Sequence, residues 1–236
     1  MISKILPASV VSTEKFGRHS GSLWNEEESA LGQAVESRRR EFAAGRTCAR
    51  MALAALGASI QPILRGSQRE PLWPDGIVGS ITHCEGYSAA VAARCSDIVS
   101  IGIDVEPNQP LPEEVLGVIA RKEEIESLPR ISTPPICWDR LLFSAKESMY
   151  KAWYPLMKCW LGFDEVSLEL DPDRGRFKAT ILAPTFPTQG SRGFQIRGRF
   201  LAQQDYIVTS VIIASAPVRL ARRLKKESDT LASSAT

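Results

Sequence analysis

The chain is poor in the residues that build transition-metal and disulfide sites. It has two histidines, His19 and His83, too few for a histidine-rich metal centre. Its five cysteines, Cys48, Cys84, Cys95, Cys137 and Cys159, are odd in number, and no two form Cys-x-x-Cys. Neither a disulfide framework nor a zinc site follows, and reduced buried thiols are the expectation. No apolar run reaches the roughly 18 residues of a transmembrane helix. Near the N-terminus, Pro7 stands where a secretory signal needs a longer apolar core. The net charge is only +2, too little to argue for a nucleic-acid partner. No internal repeat is strong enough to argue from. The expectation is a cytoplasmic protein with no nucleic-acid and no membrane partner. With 236 residues, 44% of them apolar, the chain can bury a core as one domain or two small lobes.

Two stretches carry chemistry. Phe143-Ser144-Ala145-Lys146-Glu147-Ser148-Met149-Tyr150-Lys151-Ala152-Trp153 reads as a helix opening. Ser144 can cap it, and Glu147 completes a capping-box pattern. Glu147 and Lys151 are four apart and share a helix face, a spacing that also fits a plain solvated ion pair. The second stretch, Ile98 to Pro107, is β-branched and apolar and reads as a buried strand. Asp104 and Glu106 are two apart, so they point to one side of it. Adjacent carboxylates repel and lose hydration, which a divalent cation offsets; an exposed strand end with two solvated acids is the alternative. Together, Asp104, Glu106, Glu147 and Lys151 suit Mg²⁺ held against a phosphate-bearing substrate.

The rest of the chain supplies candidate anion contacts and core. A strand is expected over Ile5 to Val11, then a loop over 17–29. A long helix is expected from about Ala30 to Leu56, with Gly57 as its stop. It carries Arg38, Arg39, Arg40, Arg46 and Arg50. Arg38 and Arg46 diverge by about 80° around the axis and can reach one ligand, although a solvated basic face fits equally. The Arg65-Gly66-Ser67-Gln68-Arg69 loop can offer charge and backbone N–H groups to an anion, or be a surface turn. Val78 to Cys84 and Ser88 to Ala93 read as a hairpin. The prolines at 107, 110 and 112 mark a linker. Glu113 to Leu128 reads as a charged amphipathic helix, followed by a Pro-rich loop to Pro135. Trp138 to Met157 has a packing stripe of Leu141, Leu142, Met149, Ala152, Trp153 and Leu156. Segments 165–170, 176–182, 195–201 and 206–214 predict a second antiparallel sheet. From Pro217 the chain is a basic and then Ser/Ala-rich tail, expected to be a frayed terminus.

Gly-Ile-Asp-Val-Glu at 102–106, followed by Phe-Ser-Ala-Lys-Glu-Ser-x-Tyr-Lys-Ala-Trp from 143, resembles the signature of the 4′-phosphopantetheinyl transferases. With Gly-Ser-Ile-Thr-His-Cys at 79–84, the chain is similar to the long two-lobed members of surfactin-synthetase and enterobactin type, and close to the actinobacterial ones. The likeness runs from about Ser37 to Phe163, and more loosely to about Ala214. It implies an α+β fold of two pseudo-duplicate lobes, each a three-stranded antiparallel sheet packed on a helix, with the active site between. The lobes would be 1–107 and 108–216, with 217–236 a flexible tail.

The same resemblance implies site residues. Arg38 and Arg46 would bind the nucleotide end of coenzyme A, where guanidinium forks match phosphate oxygens. Arg65, Gly66, Ser67, Gln68 and Arg69 would lie against the adenine and its 3′-phosphate; the family often has Lys at the Arg65 position. His83 would hydrogen-bond a phosphate, with Ser80 and Thr82 beside it. Mg²⁺ would sit on Asp104, Glu106 and Glu147. Lys151 would neutralise the leaving group, and Lys146 would reach an outer phosphate oxygen. Glu147 would accept the proton of a carrier-protein serine, bind metal, or both. The partners would be coenzyme A and apo acyl or peptidyl carrier domains, served by a monomer. Two other readings stay open from the residues: a Mg²⁺-dependent phosphohydrolase or nuclease, and a coenzyme A-binding module without catalysis.

Overall fold

The computed structural model describes residues 1–18, 20–129, 135–182, 194–203 and 205–214. The expected Pro-rich loop lies partly outside these residues, and the basic tail wholly. The architecture is α+β, built on one three-stranded and one five-stranded antiparallel sheet. The first sheet has the order β1 (Val11–Phe16), β5 (Tyr87–Arg94), β4 (Ile77–Cys84). Its strands β4 and β5 are the expected hairpin, turned at Gly86, whose φ of 75° suits glycine. The first strand begins later than the sequence predicts. Residues Ile2–Ile5 form a 3-10 turn, and Pro7 keeps the run from Ile5 out of the sheet.

Helix α1 (Asn25–Glu28) is a single turn, and helix α2 (Glu36–Ala55) packs its Ala-rich face on the first sheet. The expected start at Ala30 is wrong by one and a half turns. Gly32 takes a left-handed φ of 50°, which an α-helix cannot contain. The expected stop is right: Gly57 has φ 67°, with Ala58 N–H donating to Leu53 O at 2.9 Å and Gly57 N–H to Ala54 O at 3.0 Å. That is a Schellman closure. The turn-rich segment after it forms the short ladder β2 (Leu64–Arg65) and β3 (Pro71–Leu72).

The second sheet has the order β6 (Ile98–Pro107), β10 (Tyr206–Ala214), β9 (Gln195–Gln203), β8 (Arg176–Ile181), β7 (Val166–Asp171). The four later segments pair as the sequence predicts. Strand β6, counted with the first lobe by its position in the chain, hydrogen-bonds to β10 and gives this sheet its fifth strand. On its other side β6 meets β4 through side chains. Ile103 N–H donates to Ser80 Oγ and Val105 N–H to Thr82 Oγ1, each at 3.1 Å. Two hydroxyls thus stand where ladder carbonyls would, and they seam the two sheets together. Residues 113–127, expected as one helix, form α3 (Glu113–Ile119) and α4 (Lys122–Ser127), because Ala120 is extended.

Helix α5 (Trp138–Met157) covers the second sheet. Leu141, Leu142, Met149 and Ala152 are almost wholly buried, and each large side chain among them contributes about 2 kcal/mol of burial. Ser144 is not its cap. It lies two turns inside the helix, fully buried, with its carbonyl accepting from Thr209 Oγ1 at 2.9 Å. Alternate residues of β6 divide the labour, as the period of two requires. Ile101, Ile103 and Val105 enter a core with Tyr87, Val91 and Val208. Ser100, Gly102, Asp104 and Glu106 turn to α5. Ser100 Oγ donates to Ala152 O at 2.7 Å. A Cβ on Gly102 would stand 1.9 Å from Ser148 O and 2.5 Å from Ala152 N. Gly102→Ala would therefore push α5 off β6. The expected cost is about 3 kcal/mol, read as a lower urea midpoint with an unchanged m-value.

Candidate active site

Beside the contact of β6 and α5, and lined on the β6 side by Ser100, is a cleft of about 530 Å³. One wall comes from α2, the 65–73 loop and β4; the other is α5. Arg38, Phe42 and Arg46 project from α2, and Glu147, Tyr150, Lys151 and Tyr154 from α5. Positions 147 and 151 share a stripe on α5, and 147, 150 and 154 are likewise three or four apart.

The wall formed by α2, the 65–73 loop and β4 is strongly cationic. Arg38, Arg46, Arg65 and Arg69 all line it. Arg46 is 5% exposed and stacks on Phe42, its guanidinium carbon 4.1 Å from the ring centroid. Its Nη2 reaches Leu64 O at 3.4 Å, while its buried Nε has no partner. Burial, added to by Arg65, Arg50 and Arg38 and opposed by Glu27, pulls Arg46 down to about 10. A buried cation with an unused donor is a place that an anion stabilises. Trp73, in the same wall, also has a buried and unpartnered indole N–H. Arg38 stands 3.0 Å from His83 Nε2 and 3.3 Å from Glu41. The fold thus brings Arg38 and Arg46 to one surface, as their helix spacing predicts, and His83 joins them there. Arg50, on the same helix, faces away from the cleft and pairs with the fully buried Glu27.

The 65–69 loop divides. Arg65, Gln68 and Arg69 line the cleft, whereas Gly66 and Ser67 border only a second depression with Glu26, Ser29 and Ala30, which Arg65 and Arg69 also touch. The backbone N–H of Gln68, one of those the loop could offer to an anion, donates to Glu70 Oε2 at 3.0 Å. Glu70 also meets Lys158 across the cleft at 3.4 Å. Nothing in the sequence pattern singles out Glu70.

Ser80 and Thr82 line the cleft, yet both are 3% exposed and accept the β6 N–H groups named above. Thr82 also donates to Asp104 Oδ1 at 3.2 Å. Lys146 lies about 100° from Glu147 around the helix, and it leaves the site altogether. It is 2% exposed, and its ammonium donates to Glu124 at 2.7 Å and to Ile119 O and Phe163 O at 2.8 Å each. The sequence expectation that it reaches a phosphate is corrected. Lys146 ties α4 and the chain after α5 to the helix.

Asp104 and Glu106 lie behind the cleft, and Glu147 lines it. Asp104 is 4% exposed, and its Oδ1 accepts from Lys151 at 2.6 Å. Its buried Oδ2 has no partner. Glu106 accepts from Arg140 Nη1 at 3.0 Å. Burial, then the neighbouring Asp104, raises Glu106 to about 7 against the pull of Arg140 and Lys151. Glu147 is also raised, by burial and then by Asp104, with Lys151 opposing. Burial lowers Lys151, but Asp104 and then Glu147 prevail and hold it above the usual lysine range. Among the described residues, no three His, Cys, Asp or Glu side chains stand close enough to hold a metal alone. Mg²⁺ does not need three: it typically takes one or two carboxylates and completes its shell with water and substrate phosphate. The hard oxygen donors and the orphaned Oδ2 of Asp104 fit such an ion.

Residues 26–93 match the family model of the 4′-phosphopantetheinyl transferase N-terminal domain, and residues 100–210 that of the 4′-phosphopantetheinyl transferase superfamily. The chain belongs to the 4′-phosphopantetheinyl transferases. It is 43% identical over 221 residues to the 4′-phosphopantetheinyl transferase Svp of Streptomyces mobaraensis, covering 91% of this chain and 90% of that one. It is 39% identical over 222 residues to the 4′-phosphopantetheinyl transferase PptT of Mycobacterium tuberculosis, covering 90% and 98%. A shorter match, 38% over 132 residues, joins it to the enterobactin synthase component D of Salmonella typhi, covering 55% and 54%. Coenzyme A is therefore the co-substrate, and the four arginines of this transferase suit its phosphates. Arg46→Ala should weaken coenzyme A about tenfold or more, the loss expected for one charge-assisted contact. The comparison, by calorimetry, is with 3′-dephospho-coenzyme A. A much smaller loss there is the expected result; equal losses would show that Arg46 does not read the 3′-phosphate.

Proposed function

We propose that this transferase moves 4′-phosphopantetheine from coenzyme A to a serine hydroxyl of apo acyl or peptidyl carrier domains and releases adenosine 3′,5′-bisphosphate. The observation that carries this reading is the order of charge along one cleft. Arginines line one wall, Glu147 and Lys151 the other, and Asp104 sits one hydrogen bond behind. A pyrophosphate with a charged nucleotide at one end matches that order.

Phosphoryl transfer needs mostly positioning and charge neutralisation. Arg38, Arg46, Arg65 and Arg69 hold the nucleotide end, and His83 beside Arg38 adds a ring nitrogen for a phosphate oxygen. Lys151 stays protonated at neutral pH, because Asp104 and Glu147 keep it above the lysine range. Its charge is available for the leaving bisphosphate. Glu147 is a stronger base than an exposed glutamate, because burial raises it, and it can take the serine proton. Mg²⁺ would be held by the two strand carboxylates, Asp104 and Glu106, with Glu147 left as the base or a further ligand, and would supply charge that offsets the pyrophosphate. Tyr150 and Tyr154 give the α5 wall an apolar surface for the pantetheine arm.

Both walls come from one chain, which supports a monomer. None of the five cysteines is in a disulfide, as suits a reducing cytoplasm, and no described helix is long and apolar enough to cross a membrane. The likeness to an enterobactin synthase component supports a carrier domain of siderophore assembly.

Two variants test the division of roles. Lys151→Ala should lower kcat more than it raises the KM for coenzyme A, since its contribution grows as charge develops. Glu147→Gln keeps the shape and one oxygen. As a base, its loss should lower the single-turnover rate by about a hundredfold with near-normal coenzyme A affinity, and added Mg²⁺ should not restore it. Recovery at high Mg²⁺ would make Glu147 a ligand; a wild-type rate would remove it from the site.

A further inference from the structure

Arg140 lies in the first turn of α5, seven residues before Glu147 and eleven before Lys151. Glu147 and Lys151 each fall within about 20° of Arg140 around the axis, so the three positions share one helix stripe. Each strand carboxylate therefore has a cation from the same helix face: Lys151 for Asp104, and Arg140 for Glu106. Arg140 does not line the cleft, so it is not a phosphate contact there.

Its guanidinium is used on all three arms. Nη1 donates to Glu106 Oε2 at 3.0 Å, Nε to Gln109 O at 3.0 Å, and Nη2 to Pro110 O at 2.9 Å. Three further bonds fix the surrounding backbone. Leu111 N–H donates to Asp139 Oδ2 at 2.7 Å. Cys137 N–H donates to Asn108 Oδ1 at 2.9 Å, and Asn108 Nδ2 to Pro135 O at 3.0 Å. The chain leaving β6 is thus stitched to the start of α5. A lone ion pair at 18% exposure on both sides would count for little. A planar fork held on three acceptors fixes a carboxylate in one orientation, which a lysine cannot do.

We propose that Arg140 is a positioning residue: it clamps Glu106 by one carboxylate oxygen, leaves the other for the divalent cation, and so sets the geometry of the two strand ligands. The inference rests on the reading of Glu106 as a cation ligand made above. It goes beyond that reading because it assigns the clamp to a residue outside the signature. Outer partners of this kind typically tune metal affinity by tenfold to a hundredfold.

The test is a double-mutant cycle on cation binding, read without turnover. Mn²⁺ is titrated into the full chain saturated with coenzyme A, with no carrier domain present, and free Mn²⁺ is counted by electron paramagnetic resonance. Arg140→Gln should weaken Mn²⁺ binding about tenfold, and Arg140→Lys should restore part of it. Glu106→Gln should weaken binding by itself, and adding Arg140→Gln to it should cause little further loss, because the clamp then has no ligand to hold. Unchanged or tighter Mn²⁺ binding in Arg140→Gln, or equal losses in both backgrounds, would overturn the proposal. Tighter binding would mean that the guanidinium competes with the cation. Unchanged binding with a lower melting temperature would mean that Arg140 only stitches the linker. If Glu106→Gln leaves Mn²⁺ affinity intact, the ligand reading itself falls, and the clamp with it.

Discussion

The contact of β6 with α5 is the constraint on which the site depends. Gly102 lets the strand approach until its own Cα sits against the carbonyl of Ser148. Only at that distance can Asp104, two residues on, reach Lys151, and Glu106 reach Arg140. The hydroxyls of Ser80 and Thr82 fix the other edge of β6, so the strand is held from three sides. Small residues at 80, 82, 100 and 102 thus have one purpose. They bring backbone close enough for long charged side chains to meet in a dry place.

Charge is arranged along this frame with little waste. Acids and bases that only support the fold are paired and buried, as with Glu27 and Arg50, or Glu124 and Lys146. Among the described residues, the buried groups left short of partners are different: Arg46 Nε and Trp73 Nε1 in one wall, and Asp104 Oδ2 behind the other. Two unused donors and one unused acceptor suit a ligand that carries both phosphate and a divalent cation. Lys151 stands at the junction and neutralises Asp104 in the free chain. The repulsion between two strand carboxylates is offset by cations from a single helix stripe.

Much of this was legible from residue order. The period of two put Asp104 and Glu106 on one side of β6, and the period of 3.6 put Glu147 with Lys151 and Arg38 near Arg46. Strands β7 to β9 were legible because each alternates between core and solvent, and β10 because it is a largely apolar run buried along its middle. What was not legible was set by tertiary pairing. Lys146 is one residue from Glu147, and only the packing of α4 decides that it turns to Glu124. Strand β6 follows the first hairpin in sequence, but its ladder partner β10 comes about a hundred residues later. Ser144 carries a capping signature, yet the helix begins at Trp138 because the apolar stripe extends back to Leu141. Arg140 was hidden for a different reason. Its partner carbonyls belong to a linker whose path cannot be read from composition.

The most direct test of the account is the fate of both products in one reaction. The enzyme is incubated with coenzyme A, Mg²⁺ and a panel of apo carrier domains; intact mass follows the carrier, and chromatography follows the nucleotide. The account predicts one 4′-phosphopantetheine on one serine of a carrier domain, with adenosine 3′,5′-bisphosphate released in equal amount. Excess chelator, or Asp104→Ala, should abolish both. Nucleotide release without carrier modification, or undiminished transfer in excess chelator, would contradict it.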